Sequence, residues 1–169
     1  MAFGSSTGNR FRIDRTNNMS ENPHILIIEA PYYAEISAEL ARGAIAELEA
    51  QGATYERLEV FGVFELPAAI AMADAGPEHF DGYLALGCVI RGETTHYDYV
   101  CNESARGLMN LSVDRHLAIG YGVVTVENEA QAWARARVDE KNKGRDAAAA
   151  CLKMIGLRYR FGLEKALVS

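Results

Sequence analysis

Apolar, β-prone runs alternate with segments whose apolar residues recur at helical spacing, and this alternation leaves the chain few architectures. The run His24–Ala30 is nearly all apolar and reads as a buried strand. Ile36, Leu40, Ala44 and Leu48 then share one helical face, and Gly52 stands where a helix would stop. Residues 55–61 alternate enough for a second strand. Residues 65–75 form a short helix opened by Glu65-Leu66-Pro67, since proline fits a first turn. Gly82–Ile90 is a third strand with almost no polar residue, Val100, Ser104, Leu108 and Leu111 mark the next helix, and residues 118–126 make a fourth strand. Two helices follow. Residues 127–137 turn Ala130, Trp133 and Ala134 toward the core, and residues 145–160 turn Ala148, Cys151, Leu152, Ile155 and Tyr159 inward. Strands separated by helices pair in parallel through right-handed crossovers. The expected fold class is therefore α/β, a three-layer α/β/α sandwich around a central four-stranded parallel sheet.

Composition narrows the function. Hydrophobic residues make up 49% and charged residues 24%, a globular mix. A net charge of -6 argues against a nucleic-acid partner, which usually meets a basic face. Cys88, Cys101 and Cys151 are odd in number and widely spread, so they read as small buried hydrophobes in a reducing compartment, not as disulfides or metal ligands. The longest apolar run, residues 66–73, is too short to span a bilayer, and no signal-peptide core precedes it, so a cytoplasmic protein with no membrane partner is expected. Residues 1–22 are polar and aperiodic and are expected to form a flexible leader, with Met19 a second possible start; residues 23–169 form one domain.

In an open α/β sheet, ligands bind outside the carboxyl ends of the strands. Four such ends carry Tyr32, then Val63, Phe64 and Glu65, then residues 88–94, and lastly Glu127. Aromatic rings there suit a flat heterocycle, and the main chain of Cys88, Val89 and Ile90 can pair with its edge. Glu65 can accept hydrogen bonds from hydroxyls. Past the third strand a glycine turn leads to His96 at a helix start, where N–H groups hold anions and imidazole moves protons. Each feature has a plainer reading. Tyr32 could cap the core, Glu65 answers the helix dipole, Thr94 and Thr95 could be N-caps, Arg135 could be solvated, and a lone histidine is more often a surface residue. There is no P-loop, Rossmann glycine fingerprint, nucleophile elbow or metal-ligand spacing.

Several separated motifs in one order add a further signal. Residues 86–100 contain Arg91-Gly92-Glu93-Thr94-Thr95-His96-Tyr97-Asp98-Tyr99. They are preceded by Gly62-Val63-Phe64-Glu65-Leu66-Pro67 and followed by Tyr121-Gly122-Val123-Val124-Thr125-Val126-Glu127-Asn128-Glu129 and Asn142-Lys143-Gly144. Over about residues 24–162 the chain resembles the 6,7-dimethyl-8-ribityllumazine synthases, transferases of riboflavin biosynthesis. The resemblance implies a flavodoxin-like sandwich assembled into homopentamers, with icosahedral shells in some members, and active sites between neighbouring subunits. It implies two small-molecule substrates, 5-amino-6-(D-ribitylamino)uracil and 3,4-dihydroxy-2-butanone 4-phosphate. No metal or organic cofactor is expected, and riboflavin synthase is a candidate partner.

Residue by residue, the resemblance implies that Tyr32 stacks on the pyrimidine. Val63, Phe64 and Glu65 would line the pyrimidine and ribityl pocket, and the main chain of Cys88, Val89 and Ile90 would read the pyrimidine edge. Glu93 and Thr94 would hold the phosphate, Arg135 would supply its counter-charge, Tyr121 would come from the adjoining subunit, and His96 would move protons. Some positions depart from the family pattern. Pro31 stands for a frequent arginine, Tyr32 for phenylalanine or tryptophan, Phe61 and Val63 for proline and alanine, and Asp139 for a frequent lysine that Lys141 or Lys143 could replace. The bulk of Phe61 and Val63 keeps a second reading open, a flavin or lumazine carrier, or a shell subunit, on the same scaffold. A flavodoxin-like mononucleotide binder is a third, although a hydroxyl-rich loop after the first strand is missing.

Overall fold

The computed structural model describes residues 22–163. The expected leader and Met19 lie outside the described residues, apart from Asn22. Four strands, β1 (His24–Ala30), β2 (Thr54–Glu59), β3 (Gly82–Ile90) and β4 (Ile119–Val126), form one parallel sheet in the order β2-β1-β3-β4. Ile25 lies opposite Tyr55 on one side and Gly82 on the other, and Gly87 lies between Ala30 and Val123. Five helices cover it: α1 (Ala34–Ala50), α2 (Leu66–Ala75), α3 (His96–Asp114), α4 (Glu129–Ala136) and α5 (Lys143–Arg160).

Alternation along the strands divides the core. Ile25, Ile27, Leu84 and Leu86 meet Ala44 and Leu48 of α1 and Ala148, Cys151 and Ile155 of α5. The intervening Leu26, Ile28, Tyr83 and Ala85 meet Leu66 and Ile70 of α2 and Val100 and Leu108 of α3. Cys88, Val124 and Val126 carry the first face on to Ile36 and Leu40 of α1 and to Ala132 and Ala136 of α4. These are the three layers of a flavodoxin-like α/β sandwich.

Three details differ from the sequence reading. Strand β2 stops at Glu59, short of residue 61. The Val60 N–H still reaches Glu29 O at 2.8 Å, after which a single 3-10 turn, Val63–Glu65, leads into α2. Helix α4 begins at Glu129 because the Asn128 side chain accepts the Gln131 N–H, and it buries Ala132 and Ala136 while Ala130 is exposed. Trp133 packs half-buried against that cluster. Helix α5 starts two residues early at Lys143, capped by Asn142 with left-handed φ 45°. There a Cβ on Gly144 would stand 1.9 Å from Leu40 O, so only glycine lets α5 cross α1 this closely.

No helix among the described residues is long and apolar enough to cross a membrane.

Candidate active site

The order β2-β1-β3-β4 sends the chain outward from β1 to β2 and then back past β1 to β3. The ends of β1 and β3 therefore bound the switch-point crevice where such sheets bind ligands. The ladder between them closes at Ala30 opposite Gly87, while β3 runs on to Ile90. Tyr83 and Arg91 both donate their N–H to the β4 side, to Ala118 O and Val126 O. Main-chain groups alternate along a strand, so Val89 also faces β4, whereas Cys88 and Ile90 face the β1 side. Since β1 ends at Ala30, the Ile90 main chain extends past it into the crevice. The expected main-chain edge is thus divided: Cys88 and Ile90 point that way, and Val89 is committed to β4. The Cys88 side chain is buried, and burial pushes its thiol up to about 11.

The crevice walls come from the adjoining loops. Tyr32 is 69% exposed and meets Tyr33 edge-on with centroids 5.1 Å apart, so it does not cap the core. Phe64 and Glu65 are exposed at the entrance of α2. Val63 is not: its side chain is buried over Gly87, where a Cβ would stand 2.6 Å from Val63 Cγ2. The larger residue at 63 thus fills space above β3, against Gly87. Phe61 is 87% exposed and stands outside the core.

Beyond β3, every residue from Arg91 to His96 is exposed, and a Cβ on Gly92 would meet nothing within 4 Å. The Thr94 hydroxyl accepts the His96 N–H at 3.3 Å and the Thr95 carbonyl accepts the Asp98 N–H at 3.0 Å. Thr95 occupies the N-cap position of α3 without a side-chain cap bond. Glu93, Thr94 and His96 therefore share one open turn at the N-terminus of a long helix, a geometry that favours an anion.

Two expected members lie on other elements. Arg135, in the last turn of α4, donates from Nη1 to the carbonyl of Gln131 at 3.0 Å. Tyr121 is 45% exposed on β4 and neighbours Tyr97 and Cys101 of α3; partial burial, then those two groups, push its phenol up. Arg91 is a residue that the sequence reading does not single out. Its guanidinium meets Asp98 (Nη2–Oδ1 3.2 Å), Glu127 (Nε–Oε2 3.0 Å) and the Tyr97 ring (4.1 Å to the centroid). Its partners lie 7 and 36 residues along the chain, and only the nearer was within reach of sequence spacing. No cluster of potential metal ligands occurs among the described residues.

Comparison with known proteins shows the family. Residues 22–158 match the family model of 6,7-dimethyl-8-ribityllumazine synthase. The chain is 54% identical over 144 residues to the 6,7-dimethyl-8-ribityllumazine synthase of Bartonella tribocorum, covering 85% of this chain and 95% of the relative. It is 55% identical over 148 residues to that of Bartonella bacilliformis, covering 87% and 97%. It is 54% identical over 146 residues to 6,7-dimethyl-8-ribityllumazine synthase 1 of Rhizobium meliloti, covering 84% and 95%. The chain belongs to the 6,7-dimethyl-8-ribityllumazine synthase family.

Proposed function

We propose that this chain condenses 5-amino-6-(D-ribitylamino)uracil with 3,4-dihydroxy-2-butanone 4-phosphate to give 6,7-dimethyl-8-ribityllumazine, phosphate and water. The observation that carries this reading is the topological switch point, where the open Gly92–His96 turn follows the end of β3 that runs on past β1. One part suits a phosphate, the other a heterocycle edge, and the reaction needs both held together.

The pyrimidine stacks on Tyr32, with its edge on the main chain of Cys88 and Ile90. Phe64 and Glu65 flank the ribityl chain, and Glu65 accepts from its hydroxyls. Glu93 and Thr94 present the turn to the phosphate, and Arg135 supplies a fork suited to its oxygens. The 5-amine attacks the ketone and water leaves to form an imine. Proton loss and departure of phosphate follow; the second nitrogen then closes the ring, and a second water is lost. His96, beside the phosphate turn, moves the protons. Holding both substrates in place can supply up to about 7–11 kcal/mol of the barrier reduction.

Tyr121 completes the site from an adjoining subunit of a homopentamer, alone or within a decamer or icosahedral shell. Supporting this, Met72 of α2 and Tyr99, Met109 and Val113 of α3 are each more than 60% exposed, an apolar surface that a second copy would cover. The enzyme is placed in the cytoplasm, with riboflavin synthase, which takes the product, as a further partner.

The test mixes purified protein with both substrates and follows the fluorescent lumazine. Formation well above the uncatalysed rate is expected, and product only at the background rate overturns the reading. Solution mass measurement checks the assembly.

A further inference from the structure

We propose that Arg91 is a positioning residue that holds the phosphate turn in its receptive shape, an inference that rests on the function proposed above. The turn has no packing of its own, because residues 91–96 are all exposed and Gly92 faces open space. Its shape must come from its two ends. Arg91 is fixed at one end by the sheet, since its N–H donates to Val126 O at 2.9 Å. Its side chain grips the other end. Nη1 and Nη2 reach Asp98 Oδ2 and Oδ1 at 3.3 and 3.2 Å, and the guanidinium lies over Tyr97. Asp98 and Tyr97 belong to the first turn of α3, directly after His96. The arginine thus spans the turn like a clasp.

A third contact extends the clasp to α4. Arg91 Nε donates to both Glu127 oxygens, at 3.0 and 3.3 Å. The Glu127 N–H donates to Gln131 Oε1 at 3.0 Å, and the Gln131 carbonyl receives Arg135 Nη1. Turn and counter-charge helix are therefore tied through one guanidinium. With two carboxylates upon one guanidinium, the cluster of Arg91, Asp98 and Glu127 carries no net positive charge to offer an anion, so the role of Arg91 is separate from that of Arg135. Lysine cannot reproduce this grip, because a point charge cannot bond two carboxylates in a fork and stack on a ring together.

Steady-state kinetics of Arg91→Ala and Arg91→Lys, with each substrate varied in turn, tests the proposal. In Arg91→Ala the KM for the butanone phosphate should rise about tenfold, with the KM for the pyrimidine held within about twofold. Inorganic phosphate should weaken in parallel as a competitor of the butanone phosphate, and Arg91→Lys should recover only part of the loss. A native assembly size shows that the fold is intact. If Arg91→Ala does not assemble, Asp98→Asn, which weakens the grip across the turn and leaves the Glu127 and Tyr97 contacts in place, should show the same selective shift with smaller magnitude. Equal changes in both KM values, or unchanged phosphate competition, overturn the role of Arg91. Absence of lumazine from the parent protein would instead overturn the function itself.

Discussion

Arg57 clasps the Glu29 carboxylate with both arms across the β1–β2 ladder, Nε to Oε1 at 2.6 Å and Nη2 to Oε2 at 3.0 Å. The Glu29 side chain is 4% exposed and that of Arg57 47%. Arg57→Ala would strand a buried carboxylate. The cost should be about 2 kcal/mol, below the about 3–5 kcal/mol of wholly buried pairs, because water reaches half of the arginine. A lower urea midpoint at unchanged m-value is expected. A midpoint equal to that of the parent protein would show that the pair contributes nothing.

Glu39 joins α1 to the loop after α4. Its carboxylate accepts from Arg42 and, at 3.0 Å, from the Val138 N–H. The Arg42 hydrogen bond, with the Val138 bond adding, holds the carboxyl below its ordinary value against the opposing effect of burial. A group whose pKa falls on folding binds its proton more readily in the unfolded chain. Its stabilisation is therefore complete above the ordinary glutamate range and is lost as pH falls through the folded value. Glu39→Gln should flatten the loss of stability on acidification below about pH 4.5. Unfolding midpoints measured across that range check this, and parallel curves for the two proteins would remove Glu39 from the acid response.

How much of this was legible depended on whether the signal was local. The bounds of β1 and β3 followed from runs of apolar residues, and α1 from one clear stripe. The buried face of α4 was not readable, because alanine stands at 130, 132, 134 and 136 and marks no side of a helix. The early end of β2 was hidden as well: as an edge strand paired only to β1, it exposes Leu58 and its charges, and hydropathy does not mark where pairing stops. In the site, the turn carrying Glu93, Thr94 and His96 was visible because it lies in one short run. Arg91 and Glu127 were not connected, since they meet only when β3 and β4 pair. The same holds for Glu29, whose partner lies 28 residues away.

The thiols offer a test of packing beside the site. Burial pushes Cys88 up to about 11 and Cys151 up to about 12, and it raises Cys101 as well. The thiolate is the reactive form, so a native sample at pH 8 should react slowly with an aromatic disulfide reagent, and all three should respond once the chain unfolds. In Cys101→Ser, the remaining two should be modified only as fast as the protein unfolds. Rapid native-state labelling of either would mean that the strand end at Cys88 or the α5 core at Cys151 opens far more often than this packing allows.

His96 and Glu65 are separated by role, and kinetics should separate them too. His96 stands at the start of α3 beside the phosphate turn, and Glu65 at the entrance to α2. In the proposed reaction the imidazole acts on protons after both substrates are bound, so His96→Ala should lower kcat about 10²-fold and leave both KM values nearly unchanged. It should not silence the enzyme, because positioning of the two substrates survives the loss. Glu65→Gln keeps the size of the side chain but weakens acceptance from ribityl hydroxyls. Its main effect should fall on the KM of the pyrimidine, leaving that of the butanone phosphate unaffected. Undiminished turnover by His96→Ala would exclude the histidine from the proton transfers. An equal rise in both KM values for Glu65→Gln would place that carboxylate in support of the loop, away from the ribityl chain.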